Sequence, residues 1–318
     1  MLRVAPKDLH ALKIVPVRLK PWQRCALEYR ATAQGRVLRY FVKVLPAGST
    51  APLLPLLCTL RQHLRDAGGL WDVPQPLACL NDADALVTEF VEGSAAKSLL
   101  QRAAEDPQAR RSLNRLVESA AQGLAPFQNV AVPGLPVRTP ASLLEDLEVD
   151  VRIMHRVAPA LTARVAPVLS RLESAAARMP EDKPVLGHAS FRHTHFFVRQ
   201  GKPVLLDLDG VCRCGAGADP GNFLAYLDRA ALRRPQWEPI LRKCEEIFAS
   251  ALKGLPDLSP EWLNWHRAAA QLKGAMRSFS SLSTRWPETS DGLIRRADEA
   301  SARLQSRHSR ASTARAID

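Results

Sequence analysis

The chain has no Cys-x-x-Cys pair, no apolar run near the roughly 18 residues that cross a bilayer, and no signal-peptide core after Met1. Its six cysteines, Cys25, Cys58, Cys79, Cys212, Cys214 and Cys244, are scattered over 318 residues. That spread argues against a disulfide scaffold and against paired zinc ligands, and predicts reduced, mostly buried thiols. Internal repeats and low-complexity linkers are also missing from the body of the chain. These absences together predict a soluble, cytoplasmic, globular protein with no membrane partner.

Hydrophobic residues make up 46% of the chain, enough for a large core in one two-lobed unit or two domains. The formal net charge is +12, the sequence pI is near 9.9, and arginine far outnumbers lysine. A basic surface favours anionic small molecules, anionic lipid or nucleic acid, although a composition rich in Ala, Arg, Leu and Pro also raises arginine without any functional demand. A polycationic ligand is a poor electrostatic match for such a chain.

The most informative stretch runs from Gly187 to Leu227. A loop leads to a short strand, Phe196-Phe197-Val198-Arg199, a turn at Gln200-Gly201-Lys202-Pro203, and a second strand, Val204-Leu205-Leu206. That strand delivers Asp207 and Asp209 at its end. Carboxylates beside an apolar strand are costly unless paired or bound to a cation, so they demand a partner. A turn cap for one and an arginine for the other would meet the demand as well as a metal would.

Followed by Ala218-Asp219-Pro220-Gly221-Asn222-Phe223-Leu224-Ala225 opening a helix, this order resembles the catalytic loop and metal segment of the aminoglycoside phosphotransferases and choline kinase-like enzymes, relatives of the protein kinases. The resemblance spans about residues 14 to 300. The family's loop has the form H-G-D-x-x-x-x-N, and here it reads His188-Ala189-Ser190-Phe191-Arg192-His193-Thr194-His195. The resemblance implies that Asp207, with Asp209, holds the Mg²⁺ of a bound ATP, Mn²⁺ being an alternative. It puts Ser190, with His188 two residues before it, at the catalytic positions, and His195 at the metal-binding Asn. A serine has no basicity near neutral pH, so it can orient a substrate hydroxyl but cannot take its proton. Imidazole suits Mn²⁺ or Zn²⁺ better than Mg²⁺. The three loop histidines raise a rival reading as a transition-metal site, set against ordinary packing histidines.

The resemblance implies an α+β, bilobal protein kinase-like fold, with a small antiparallel-sheet N-lobe (1–93), a large, mainly helical C-lobe holding the hairpin (94–305), and a disordered basic tail (306–318). Alternation predicts strands over 14–19, 25–31 and 36–45. The first turn, Lys20-Pro21-Trp22-Gln23-Arg24, lacks the glycines that cradle phosphate in kinases, which leaves Lys20 and Arg24 to contact phosphate through side chains. Lys43 stands at the place of the strand lysine that reaches the phosphates. Its usual partner would be a Glu on the next helix, but residues 51–65 carry no acid. Lys43 is left to bind phosphate, pair with Asp207, or extend from a strand edge.

Leu86 to Gly93 resembles the family's hinge, so Glu89, Phe90 and Val91 are the candidate adenine edge. Helical periodicity predicts helices over 95–102, 110–124, 141–155, 159–178, 235–252, 261–278 and 290–304, with an irregular Pro-rich crossing at 126–140. The acidic run Glu145, Asp146, Glu148 and Asp150 reads as a solvated helix face. Two functions follow. One is a catalytically impaired pseudo-kinase that still binds nucleotide and works through a protein partner. The other is an active ATP-dependent transferase acting on the hydroxyl of an unknown small molecule.

Overall fold

The computed structural model describes residues 9–20, 24–33, 35–281 and 284–315. The chain folds as two compact units. One holds residues 1–94 with 197–209, and the other 95–196 with 210–318.

The first unit is built on a five-stranded antiparallel sheet in the order β1-β2-β3-β5-β4. Its strands are β1 (Leu9–Lys20), β2 (Arg24–Ala33), β3 (Arg36–Val44), β4 (Pro76–Leu80) and β5 (Ala85–Glu89). The predicted meander is present, and β1 is longer than the alternation suggested. Residues 21–23 of the first turn lie outside the described residues, but Lys20 and Arg24 pair across it. Helix α1 (Leu53–Asp66) buries Leu53, Leu56, Leu57, Leu60 and Leu64, an i, i+3, i+4 stripe.

After the two-residue strand β6 (Ser94–Ala95) the second unit is mainly helical. It contains α2 (Ala96–Arg102), α3 (Pro107–Gln122), α4 (Leu124–Gln128), α5 (Pro140–His155), α6 (Pro159–Thr162) and α7 (Ala166–Ala176). The Pro-rich crossing is more ordered than expected, since α4 occupies its start and β7 (Val137–Arg138) lies near its end. β7 pairs in parallel with β11 (Cys212–Gly215), which pairs antiparallel with β8 (Pro184–Gly187). β8 leads into the loop that carries Ser190.

β9 (Phe196–Arg199) and β10 (Lys202–Leu205) form the predicted hairpin, with Gln200 and Gly201 at φ 50° and 80° in its turn. The hairpin groups with the N-terminal unit and not with the helical lobe that the resemblance implies. The cause is backbone pairing. Asp72 N–H donates to Pro203 O at 2.9 Å, and Leu205 N–H donates to Asp72 O at 2.8 Å.

The last four helices are α8 (Ala218–Arg233), α9 (Glu238–Ala251), α10 (Pro260–Ser280) and α11 (Trp286–Arg315). α10 lies among α5, α7, α8 and α11, and its Trp265, Leu272 and Met276 join Leu147, Leu172 and Leu293 in one apolar cluster. The backbone of 306–315 continues α11, where the composition predicts a disordered tail. Residues 316–318 lie outside the described residues.

Candidate functional site

In the first unit four charged side chains of the sequence reading meet. β3 places Lys43 with 12% of its side chain exposed, and its ammonium donates to both Asp207 and Asp209. Arg24, at the start of β2, lies 3.4 Å from Asp209 and 3.8 Å from Asp207. Two cations and two carboxylates balance, as groups withdrawn from water require. Asp207 adopts φ +66°, a left-handed conformation that Asp tolerates better than most residues, where the chain leaves β10. Of the three fates open to Lys43, the structure shows pairing with Asp207, and adds Asp209.

The missing helix acid has a physical counterpart. On α1 the inward-facing charge is Arg61, 3.6 Å from Asp72 and 3.9 Å from Glu89, while Arg199 of β9 sits 2.9 Å from Glu89. The helix therefore brings positive charge to the sheet, and the hairpin supplies the carboxylates for Lys43. This inversion could not be read from residues 51–65 alone.

Of the candidate adenine-edge residues, Glu89 closes β5, its N–H donating to Gln75 O at 2.9 Å, and the Phe90 N–H donates to Arg39 O at 3.4 Å. The Arg39 guanidinium lies 3.8 Å over the Phe90 ring and pairs with Glu92 at 2.8 Å. Val91 is buried. β5 runs beside β3 with Leu86 opposite Lys43, so one strand joins the hinge segment to the lysine's neighbourhood.

In the second unit the loop after β8 is held from beneath by Asp219, in the first turn of α8. Asp219 is 1% exposed and accepts from the backbone N–H groups of His188 at 2.6 Å and Ala189 at 3.1 Å. Burial raises its pKa, opposed by His188 and by those two N–H groups. The clamp holds Ala189 at φ +60°, a strained conformation for a residue with a Cβ. Ser190 follows, half-buried.

The loop histidines are all buried, and His188 stacks obliquely on His195 with ring centroids 5.3 Å apart. Arg192 Nε donates to His195 Nε2 at 2.6 Å, which occupies the lone pair a cation would need. Burial, with the charge of Arg192, lowers His193 to about 4. Among the described residues no group of three His, Cys, Asp or Glu side chains could hold a metal ion, which gives the rival transition-metal reading no support. A magnesium ion on nucleotide phosphates needs only one or two protein carboxylates, and Asp207 with Asp209 fits that donor set.

Asp219 as the clamp and the contact of Arg192 with Tyr226 were not anticipated. The signal for the first was an acid at the start of an apolar helix. The second joins residues 34 positions apart, with no local pattern to mark it.

No family model and no curated protein matches the sequence. Solved structures share its fold. A choline kinase from Cryptosporidium parvum aligns with TM-score 0.59 and 11% identity over 96% of this chain and 92% of that one. An amicoumacin kinase in complex with AMP-PNP, Ca²⁺ and Ami aligns with TM-score 0.55 and 14% identity, covering 94% and 90%. Spectinomycin phosphotransferase in complex with ADP and spectinomycin gives TM-score 0.54 and 10% identity, covering 90% and 92%. The chain thus has the kinase-like fold of the aminoglycoside phosphotransferases and choline kinases. Among the described residues no helix is long and apolar enough to cross a membrane.

Proposed function

We propose that this protein is an aminoglycoside phosphotransferase-like nucleotide binder whose phosphoryl transfer is impaired. The observation that carries the binding half is Lys43 held between Asp207 and Asp209, with Arg24 beside them. Two cations suit phosphate oxygens and two carboxylates suit a hard divalent cation, so the same four residues serve both when a nucleotide arrives. Structural neighbours with this fold hold ADP, or AMP-PNP with Ca²⁺. Asp207 and Asp209 would hold Mg²⁺ or Mn²⁺. When bound, the ion neutralises charge on the phosphates.

The impaired half rests on the loop. Ser190 stands where the family has its aspartate, and the His195 Nε2 lone pair is engaged by Arg192. Loss of general-base assistance costs about 10²–10⁴ in rate. An active transferase on a small-molecule hydroxyl is the second reading. In its favour is the Asp219 clamp, which fixes the loop rigidly enough for Ser190 to orient a hydroxyl.

Turnover of ATP with Mg²⁺ or Mn²⁺ by the wild type and by Ser190→Asp tests this. The expected result is a wild type far below the roughly 1–100 s⁻¹ of kinases, and a gain of at least about tenfold in the variant. Wild-type turnover within that range would establish the second reading instead.

A further inference from the structure

Beside the Ser190 loop, helices α8 and α10 bring together an unusual concentration of positive charge. Arg192 Nη1 and Arg277 Nη1 both donate to the Tyr226 hydroxyl, at 2.7 and 2.6 Å, and the Arg192 guanidinium also lies 4.8 Å over the Tyr226 ring. Arg229 and Lys273 line the same small depression, together with Asn222 and Gly274. The arginines' N–H bonds go to the Tyr226 hydroxyl, the His195 ring and, for Arg229, the Ser278 hydroxyl at 3.0 Å, none of them a carboxylate. Lys273 faces the largely exposed Asp146 of α5 at 3.9 Å, with Asp150 of the same helix also acting on it.

Four cations gathered with so little compensating charge are mutually repulsive, and the repulsion is visible in their chemistry. Burial and the neighbouring arginines lower Arg229, and burial with Arg277 and Arg138 lowers Lys273. Arg277, Arg192 and Arg229 draw Tyr226 below the usual phenol range, against the effect of burial. A phenol oxygen that accepts from two guanidiniums has one group left, its own O–H, and that group can only donate. The cluster therefore offers hydrogen-bond donors and positive charge, and little to attract a cation.

We infer that the acceptor of this protein is a small hydroxylated molecule carrying a phosphate or carboxylate, held by Arg192, Arg229, Lys273, Arg277 and the Tyr226 hydroxyl. The inference rests on the reading of the Ser190 loop as the acceptor position. Arg192 stands two residues after Ser190, so the anion would lie a short way from the hydroxyl that the serine orients.

Thermal shift of the full chain tests the inference, with glucose 6-phosphate, glucuronate, glucose and kanamycin as probes, each with and without MgATP. A rise of a few degrees is expected with one or both anions and none with glucose or kanamycin. The rise should weaken with added salt, vanish in Arg277→Gln and in Arg229→Gln, and persist in Lys43→Gln, which separates this cluster from the phosphate site of the first unit. Arg277 is exposed, so its variant should fold. Equal shifts with kanamycin or glucose, or an anion effect untouched by Arg277→Gln, would overturn the anionic acceptor. Binding of MgATP without any anion effect would do the same while leaving the nucleotide reading intact. An anion effect that depends on Arg277 without MgATP binding would sink the nucleotide reading alone.

Discussion

At the scale of single residues, burial moves two groups at the second unit's loop away from their ordinary titration ranges, His193 downward and Asp219 upward, and so ties stability to pH. His193 sits edge-on to Phe223, 5% exposed, with no hydrogen-bond partner for Nδ1 among the described residues. Held neutral down to about pH 4, it takes up its proton in the unfolded chain near 6.5 and in the folded protein only near 4. Between those values the unfolded state binds more protons, so stability rises with pH across the window and falls as the solution is acidified. The loss should approach about 3 kcal/mol at pH 4. Urea denaturation from pH 7 to pH 4 should show this limb in the wild type and a much flatter one in His193→Gln. An unchanged acid limb in the variant would assign the effect elsewhere.

At the scale of elements, α8 can carry the Asp219 clamp and the basic cluster only because it lies very close to α10. Gly221 makes the approach possible, since a Cβ there would stand 2.7 Å from Arg267 N and 2.8 Å from the His266 carbonyl carbon. Those are backbone atoms and cannot swing aside. Alanine would gain about 1 kcal/mol in helix propensity and lose about 1–3 kcal/mol to overpacking, so Gly221→Ala should destabilise by up to about 2 kcal/mol. Gly254→Ala, where a Cβ would meet nothing within 4 Å, should change the urea midpoint little. Matching losses in both variants would mean that helix approach is not the cause.

How much of each element was legible follows from how local its determinants are. The meander β1 to β3 and the β9–β10 hairpin were readable because alternation and a Gln200-Gly201 turn act over a few residues. The grouping of that hairpin with the N-terminal sheet was not, because it depends on Asp72 meeting Pro203 and Leu205 across more than a hundred positions. Lys43 with Asp207 is legible as one of the few partners open to a lysine on that strand, whereas Arg61 in place of an acid and the meeting of Tyr226 with Arg277 arise only when helices pack.

At the scale of the whole molecule, a formal charge of +12 includes at least two clusters of cations, one with carboxylates to match it and one nearly without. The matched place, Lys43 and Arg24 with Asp207 and Asp209, supports the claim that this chain handles nucleotide. Titration calorimetry of MgATP into the wild type, Lys43→Ala and Asp207→Ala tests that claim most directly. The account predicts binding by the wild type that requires Mg²⁺ or Mn²⁺ and is lost in both variants. Absence of binding with either ion, or binding that survives both substitutions, would contradict it.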